Sequence, residues 1–261
     1  MSEINHRYKI ARSFGSASQS YDMSARLQRY SGKHLMPWLP KKNDLTVIDL
    51  GSGTGFFTSI LAGRYQQTIG LDISHQMLSF AKKNRNESII WLEADAFNLP
   101  LKDNSVGLVY SNLMLQWCEP LNAVINETLR VLKPGGLLIF STLADGTLNE
   151  LKSSWAQVDN DHHVIDFKTT EQLNALFDTN QSHLIEHKTQ ELVLEYENVL
   201  HLVRELKGLG ANHLPKKQNK GLAGKDKWKK MIACYQDFQE PSGIYPATYS
   251  VYSGMAVKLN E

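Results

Sequence analysis

Apolar positions along this chain of 261 residues fall into two rhythms. Short apolar runs at residues 45–50, 68–72, 88–92, 106–111 and 137–142 read as buried strands. Between them, stretches at 55–65, 75–85 and 120–132 repeat apolar residues three and four apart, the period of an amphipathic helix. Such alternation predicts a mostly parallel sheet with helices on both faces. Ahead of it, residues 1–40 read as an amphipathic helical cap, with Ile10, Phe14, Tyr21, Leu27, Tyr30, Leu35 and Trp38 on the apolar side and Pro37 and Pro40 ending it. Lys133-Pro134-Gly135-Gly136 reads as a stop and turn into the fifth strand. After residue 142 the rhythm changes. Helices are expected at 147–158, 169–178, 196–207 and 224–238, a long strand at 183–195 and a last strand at 245–259. The two late strands suggest an antiparallel pair. The helical insert between them, 196–240, is expected to lie over the carboxyl edge of the sheet as a lid. The whole chain, 1–261, reads as one domain.

The chemistry concentrates after the first strand. Val47-Ile48-Asp49-Leu50 ends in Gly51-Ser52-Gly53-Thr54-Gly55, and a helix begins. Glycine permits positive φ and leaves room for a ligand against bare backbone. A dinucleotide turn spaces its glycines G-x-G-x-x-G/A with a small last residue. Here that last position is Phe56, whose ring disfavours the close packing such a turn needs. The second strand ends in Asp72, at the distance where an acid binds a ribose hydroxyl pair. Asp72 can also cap the helix starting at Ser74, and both roles are compatible.

Composition changes the picture little. The chain is 42% apolar and 21% charged with a net charge of +1, which gives no global case for nucleic acid or membrane. Cys118 and Cys234 have no metal-ligand spacing and read as reduced thiols; no metal is expected. The first twenty residues lack the apolar core of a secretory signal, so a cytoplasmic protein is expected. One local bias stands out. Residues 216–230 hold Lys216, Lys217, Lys220, Lys225, Lys227, Lys229 and Lys230 against Asp226 alone.

Taken together, these motifs resemble those of the class I S-adenosylmethionine methyltransferases. Asp49 to Gly55 resembles their first motif and Asp72 their ribose acid. Ala94-Asp95-Ala96 resembles the adenine-edge motif, and Ser111-Asn112-Leu113 with Gln116-Trp117 resembles the fourth-strand motif. The resemblance implies a Rossmann-like α/β fold with a seven-stranded, mostly parallel sheet and an antiparallel last strand. It implies S-adenosylmethionine as donor, held by Asp49, Gly51, Gly53, Gly55, Asp72, Ile73, Met77, Asp95, Ala96, Ser111, Asn112 and Gln116. The rest of the chain is similar to the malonyl-acyl carrier protein O-methyltransferases of biotin synthesis. Phe14 to Asp22, Trp155 to Asp159, Arg204 to Leu214 and Tyr245 to Tyr249 carry that likeness. One departure is Asp166 in His163-Val164-Ile165-Asp166-Phe167, where an arginine is expected.

That resemblance implies methyl transfer to the free carboxylate of a malonyl thioester on acyl carrier protein, possible also on malonyl-CoA, giving a methyl ester that primes pimeloyl synthesis. A malonyl carboxylate is ionised at neutral pH, so no base is required. Tyr21 is the candidate beside the sulfonium. Arg204, then Lys207 one turn on, are the candidate carboxylate ligands. The lysine-rich segment is the candidate docking surface for the acidic carrier. Two rival readings stay open. One is transfer to carbon or nitrogen of another small acceptor, with His162, His163 or His213 as base. The other is a donor-binding regulator without catalysis.

Overall fold

The computed structural model describes residues 3–16, 18, 21–22, 25–179, 181–208 and 222–260. Of the lysine-rich segment, Lys216, Lys217 and Lys220 lie outside these residues, as does His213. Helix α1 is Glu3–Ser16 and α2 is Arg26–Leu35. The sheet core follows as β1 Thr46–Leu50, α3 Phe56–Ala62, β2 Gln67–Asp72, α4 His75–Asn84, β3 Ile90–Glu93, β4 Val106–Asn112, α5 Leu121–Val131 and β5 Leu132–Leu143. The remainder is α6 Asn149–Ala156, α7 Thr170–Ala175, β6 Ser182–Tyr196, α8 Val199–Gly208, α9 Leu222–Tyr235 and β7 Tyr245–Lys258.

Seven strands pair in the order β3-β2-β1-β4-β5-β7-β6. Only β7 runs antiparallel, to both β5 and β6. Strand side chains alternate between two cores, as the period of two requires. Ile48, Leu50, Val109, Leu138 and Phe140 enter one, which α5 covers with Leu121, Val124, Ile125 and Leu129. Val47, Leu108, Tyr110 and Ile139 enter the other, covered by Leu35, Phe57 and Leu61. A third apolar cluster joins β6, β7 and Leu113 to α2, α6, α8 and α9 through Leu27, Trp155, Val199, Leu202, Met231 and Tyr235. The described helices of the insert are therefore packed elements with buried faces.

Two local expectations shift. The Lys133 to Gly136 stretch is a bulge within β5 rather than a turn before it. Leu132 pairs with Val106 and Leu137 with Leu108, so four residues of β5 loop out against one of β4. Gly135, at φ +74°, absorbs the bend. The 1–40 stretch is divided into α1, α2 and a 3-10 turn at Met36–Trp38, where Pro37 sits near its start.

Helix α2 approaches α3 closely at Gly32. A Cβ added there lies 2.2 Å from the Phe57 ring. Gly32→Ala gains helix propensity of about 1 kcal/mol but forces the ring aside, an overpacking cost of about 1–3 kcal/mol. A net loss read as a Tm lower by a few degrees is expected in calorimetry; an unchanged or higher Tm contradicts this packing account.

Candidate active site

In a parallel sheet, the crevice opens where strand order reverses, beyond the carboxyl ends of the strands. Here that is between β1 and β4. The glycine turn at the end of β1 is hooked onto β2. Gly51 and Ser52 N–H groups donate to the Leu71 carbonyl at 2.8 and 2.9 Å. Gly53 N–H donates to Asp72 Oδ2 at 2.9 Å, and Ser74 N–H donates to Oδ1 at 2.8 Å. Gly51, Gly53 and Gly55 all have positive φ, which explains three glycines in five residues. A Cβ on Gly51 would strike Met114 at 2.4 Å, and one on Gly55 would strike the Trp91 ring at 2.3 Å. One on Gly53 would meet nothing within 4 Å, because Gly53 faces open space.

That space is a cavity walled by Gly51, Gly53, Asp72, Ile73, Met77, Asp95 and Ala96, with Asn112 at its far side. Phe14, Tyr21 and Trp117 roof it. Phe14 meets Trp117 edge-on at 5.3 Å and Tyr21 at 6.3 Å between ring centres. Burial, then Asp72 and Asp22, pushes the Tyr21 phenol well above its ordinary value, so it stays protonated. Asp72 is also raised by burial, against the lowering effect of the Ser74, Gly53 and Ile73 backbone donors.

The structure separates the other sequence candidates into different jobs. Gly55 caps α3 and packs on Trp91 outside this cavity. Asp49 borders a smaller cavity across the glycine turn and accepts from Thr58 Oγ1 at 2.5 Å. Ser111 is fully buried and ties β4 to the Leu50 carbonyl at 2.9 Å. Asn112 accepts from Ser31 and Ser141, both at 2.7 Å, and donates to the Gln28 carbonyl at 2.9 Å. It thereby seats α2 on the end of β4. Gln116 accepts from Thr142 at 3.2 Å and donates to the Leu113 carbonyl at 2.7 Å, bracing the loop beside the cavity. Arg204 and Lys207 stand on the exposed face of α8 and do not line the cavity. Glu205 takes the inward position between them. Asp166 is exposed and pairs with Lys152 at 3.0 Å.

Four residues not singled out in the sequence shape the site. Arg7 pairs with Asp95 at 3.0 Å and lies 4.0 Å over the Phe97 ring, so α1 closes one end of the cavity. Asp22 accepts from Thr54 Oγ1 at 2.6 Å and pairs with Arg85, while Arg85 Nε also donates to the Thr54 carbonyl at 2.8 Å. This fastens the Tyr21 segment to the glycine turn. Arg26 pairs with Glu205 at 2.7 Å. Asp22 adjoins Tyr21 within the recognised N-terminal segment, a usable signal. Arg7, Arg26 and Arg85 offer none, because their partners are remote in sequence.

The His163 side chain is largely enclosed, stacked 3.6 Å from Trp155, and its Nε2 sits 2.7 Å from Asp159. Asp159, Asp161 and His163 have ligand spacing for a metal among the described residues, but Lys227 Nζ sits 2.6 Å from Asp159 and supplies the cation itself. His162 is exposed beside Asp166.

With this geometry in view, comparisons with known proteins place the chain. Residues 48–140 match the methyltransferase domain family. The malonyl-[acyl-carrier protein] O-methyltransferase of Pectobacterium atrosepticum is 35% identical over 98% of this chain and 98% of its own length. This chain belongs to that family. The biotin biosynthesis bifunctional protein BioHC of Cellvibrio japonicus is 39% identical over 94% of this chain, which spans about half (49%) of that longer relative. The YcgJ protein of Bacillus subtilis has the same fold, with a TM-score of 0.62 over 89% of this chain and all (100%) of its own, at 17% identity. Among the described residues of this methyltransferase, no helix is long and apolar enough to cross a membrane.

The residues present fit S-adenosylmethionine. The open cradle at Gly53, the two acids Asp72 and Asp95 and the apolar walls between them match a molecule with hydroxyls, an amino-bearing ring and a cationic tail. Asp72→Asn keeps the size of the side chain but removes its charge from the cavity wall. A loss of about 1.5–3 kcal/mol in donor binding is expected, seen as a Kd raised ~10–150-fold by calorimetry.

Burial pushes Asp49 up to about 7, opposed by the Thr58 hydroxyl. Between the unfolded value near 4 and about 7, the folded state therefore binds the extra proton. This group's contribution to stability is largest at low pH and falls as pH rises through that window. In Asp49→Asn, Tm should fall less between pH 5 and pH 8 than in the parent. Parallel Tm profiles contradict the buried-acid account.

Proposed function

We propose that this protein transfers the methyl group of S-adenosylmethionine to the free carboxylate of a malonyl thioester on acyl carrier protein. The methyl ester loses a charge and can enter fatty-acid elongation as a primer toward the pimeloyl chain of biotin. The observation carrying this reading is the likeness to a malonyl-[acyl-carrier protein] O-methyltransferase over 98% of the chain, insert included.

The geometry suits the reaction. S-adenosylmethionine supplies an activated methyl on a sulfonium, and the acceptor is already an anion, so the protein has no proton to remove. Its work is alignment and exclusion of water, which together provide up to ~7–11 kcal/mol in well-oriented systems. Asp72 would hold the ribose and Asp95 the adenine edge, with Arg7 bracing Asp95. The bare backbone at Gly51 and Gly53 would carry the methionine end. Phe14, Tyr21 and Trp117 roof the cavity against water. Tyr21, protonated and aromatic, presents a ring face to a cation and a hydroxyl donor to an anion.

Docking of the carrier is assigned to the exposed face of the insert. Arg204, Lys207, Lys225, Lys229 and Lys230 are all exposed there. Their charge complements an acidic partner and makes association steep in salt. This gives Arg204 and Lys207 a partner-binding role in place of a carboxylate contact.

Incubation with labelled S-adenosylmethionine and malonyl-carrier should yield a base-labile methyl ester. A base-stable methyl product, or donor binding without transfer, overturns the reading. With Lys225, Lys229 and Lys230 reversed to Glu, KM for malonyl-carrier should rise by about 10-fold or more at low salt, while KM for malonyl-CoA stays near that of the parent. Equal change with both acceptors removes the docking assignment.

A further inference from the structure

The insert and the N-terminal cap meet at a charged contact of unusual composition. Arg26, the first residue of α2, places Nη2 2.7 Å from Glu205 Oε2 on α8. Its guanidinium carbon stands 4.9 Å from the centre of the Tyr196 ring. The Tyr196 hydroxyl is buried and makes no hydrogen bond of normal geometry. It nonetheless lies close enough to Tyr249 and Arg26 to interact with both. Burial, then the Glu205 charge, pushes the Tyr196 phenol up to about 12, and burial also raises that of Tyr249. Both therefore remain O–H donors at neutral pH. Arg26 thus pairs with one carboxylate beside a phenol whose buried hydroxyl has no hydrogen-bond partner. That donor set is matched to a carboxylate group.

Its position relates it to the donor cavity. Two residues beyond Arg26, the Gln28 carbonyl accepts from Asn112 Nδ2, and Asn112 lines the cavity. Leu27 and Tyr196 share an apolar cluster with Leu113, another residue of the cavity wall. Arg26 is thus the sequence neighbour of Leu27, which packs in one cluster with Leu113 of the cavity wall.

We propose that Arg26 anchors the acceptor carboxylate and that Glu205 is a resident carboxylate which the acceptor displaces. The proposal rests on the carboxyl-methylation reading above. Exchange of one carboxylate for another keeps the charge on the half-exposed Arg26 compensated throughout. One acceptor oxygen stays on Arg26 and the other is the nucleophile. The oxygen forms a bond to the methyl carbon, the carbon–sulfur bond breaks, and its electron pair stays on sulfur. The acceptor is then a neutral ester. Arg26 holds it weakly, Glu205 returns, and the contact between cap and insert re-forms as product leaves. A cation at this place stabilises the ionised substrate more than the transition state, in which the charge is disappearing. Its effect therefore falls on KM and on selection of an acidic acceptor, and the competition from Glu205 limits overbinding.

The test combines malonyl-carrier kinetics with titration of free malonate into the S-adenosylhomocysteine-loaded protein. Arg26→Gln should raise both acceptor KM and malonate Kd about 10-fold or more, with kcat within about 3-fold. Glu205→Gln should lower both constants about 3-fold, because the resident competitor loses its charge. Arg26→Lys covers failure of the glutamine variant to fold, and should bind malonate between the other two. Unchanged KM and malonate Kd, with Tm and kcat falling together in both variants, make the contact a structural tie and overturn the proposal. Absence of a methyl ester from the parent protein sinks the functional reading alone, since malonate binding still reports on Arg26.

Discussion

The hydrogen bonds that hook the glycine turn of β1 onto the end of β2 set the position of everything else at the site. Gly51 and Ser52 donate to the Leu71 carbonyl, and Gly53 donates to Asp72. These contacts force a left-handed backbone that only glycine adopts without strain. They also place a carboxylate, open backbone and the start of α3 in one crevice. Asp72 therefore has two tasks: its oxygens hold the turn, and they remain the wall of the cavity that a ligand hydroxyl would reach. Each carboxylate oxygen has capacity for more than one donor, so the tasks are compatible.

Around that fixed turn, the chain builds a cover from remote pieces by pairing charges. Arg7 on Asp95, Arg85 on Asp22 and Arg26 on Glu205 each bind the N-terminal region to a different part of the molecule. All three are partly exposed, so each holds a movable element at modest energy. The sheet below is held differently, by apolar cores on both faces. A rigid floor and a lightly fastened cover suit an enzyme that has to admit two substrates and then exclude water.

Much of the fold was legible as pattern. Residues 46–50, 67–72 and 106–112 form strands where apolar runs ended in polar or acidic residues, and α5 carries its apolar residues at the helical period. Asp72, Asp95, Gly51 and Gly53 meet at one cavity because they all lie at or just past the carboxyl ends of adjacent strands. Other site residues were legible as important without their task being so. Ser111 and Gln116 brace backbone, and Asn112 seats α2. A polar side chain at a strand end has the same sequence signature whether it faces a ligand or a carbonyl. The Lys133 to Gly136 stretch is similar, since a bulge and a turn use the same residues.

By itself, the sequence determined the local and periodic features: which runs form strands, where glycine must bend the chain, and which family the motifs resemble. These follow from backbone sterics and from hydrophobic period, which act over a few residues. Only the tertiary structure decided which face of α8 turns inward. Arg204 and Lys207 look outward while Glu205 meets Arg26, 179 positions away. One residue of rotation along a helix exchanges an exposed cation for a partly buried acid. That choice is made by packing of Val199 and Leu202 into the cluster beneath, and no spacing in the sequence encodes what they pack against.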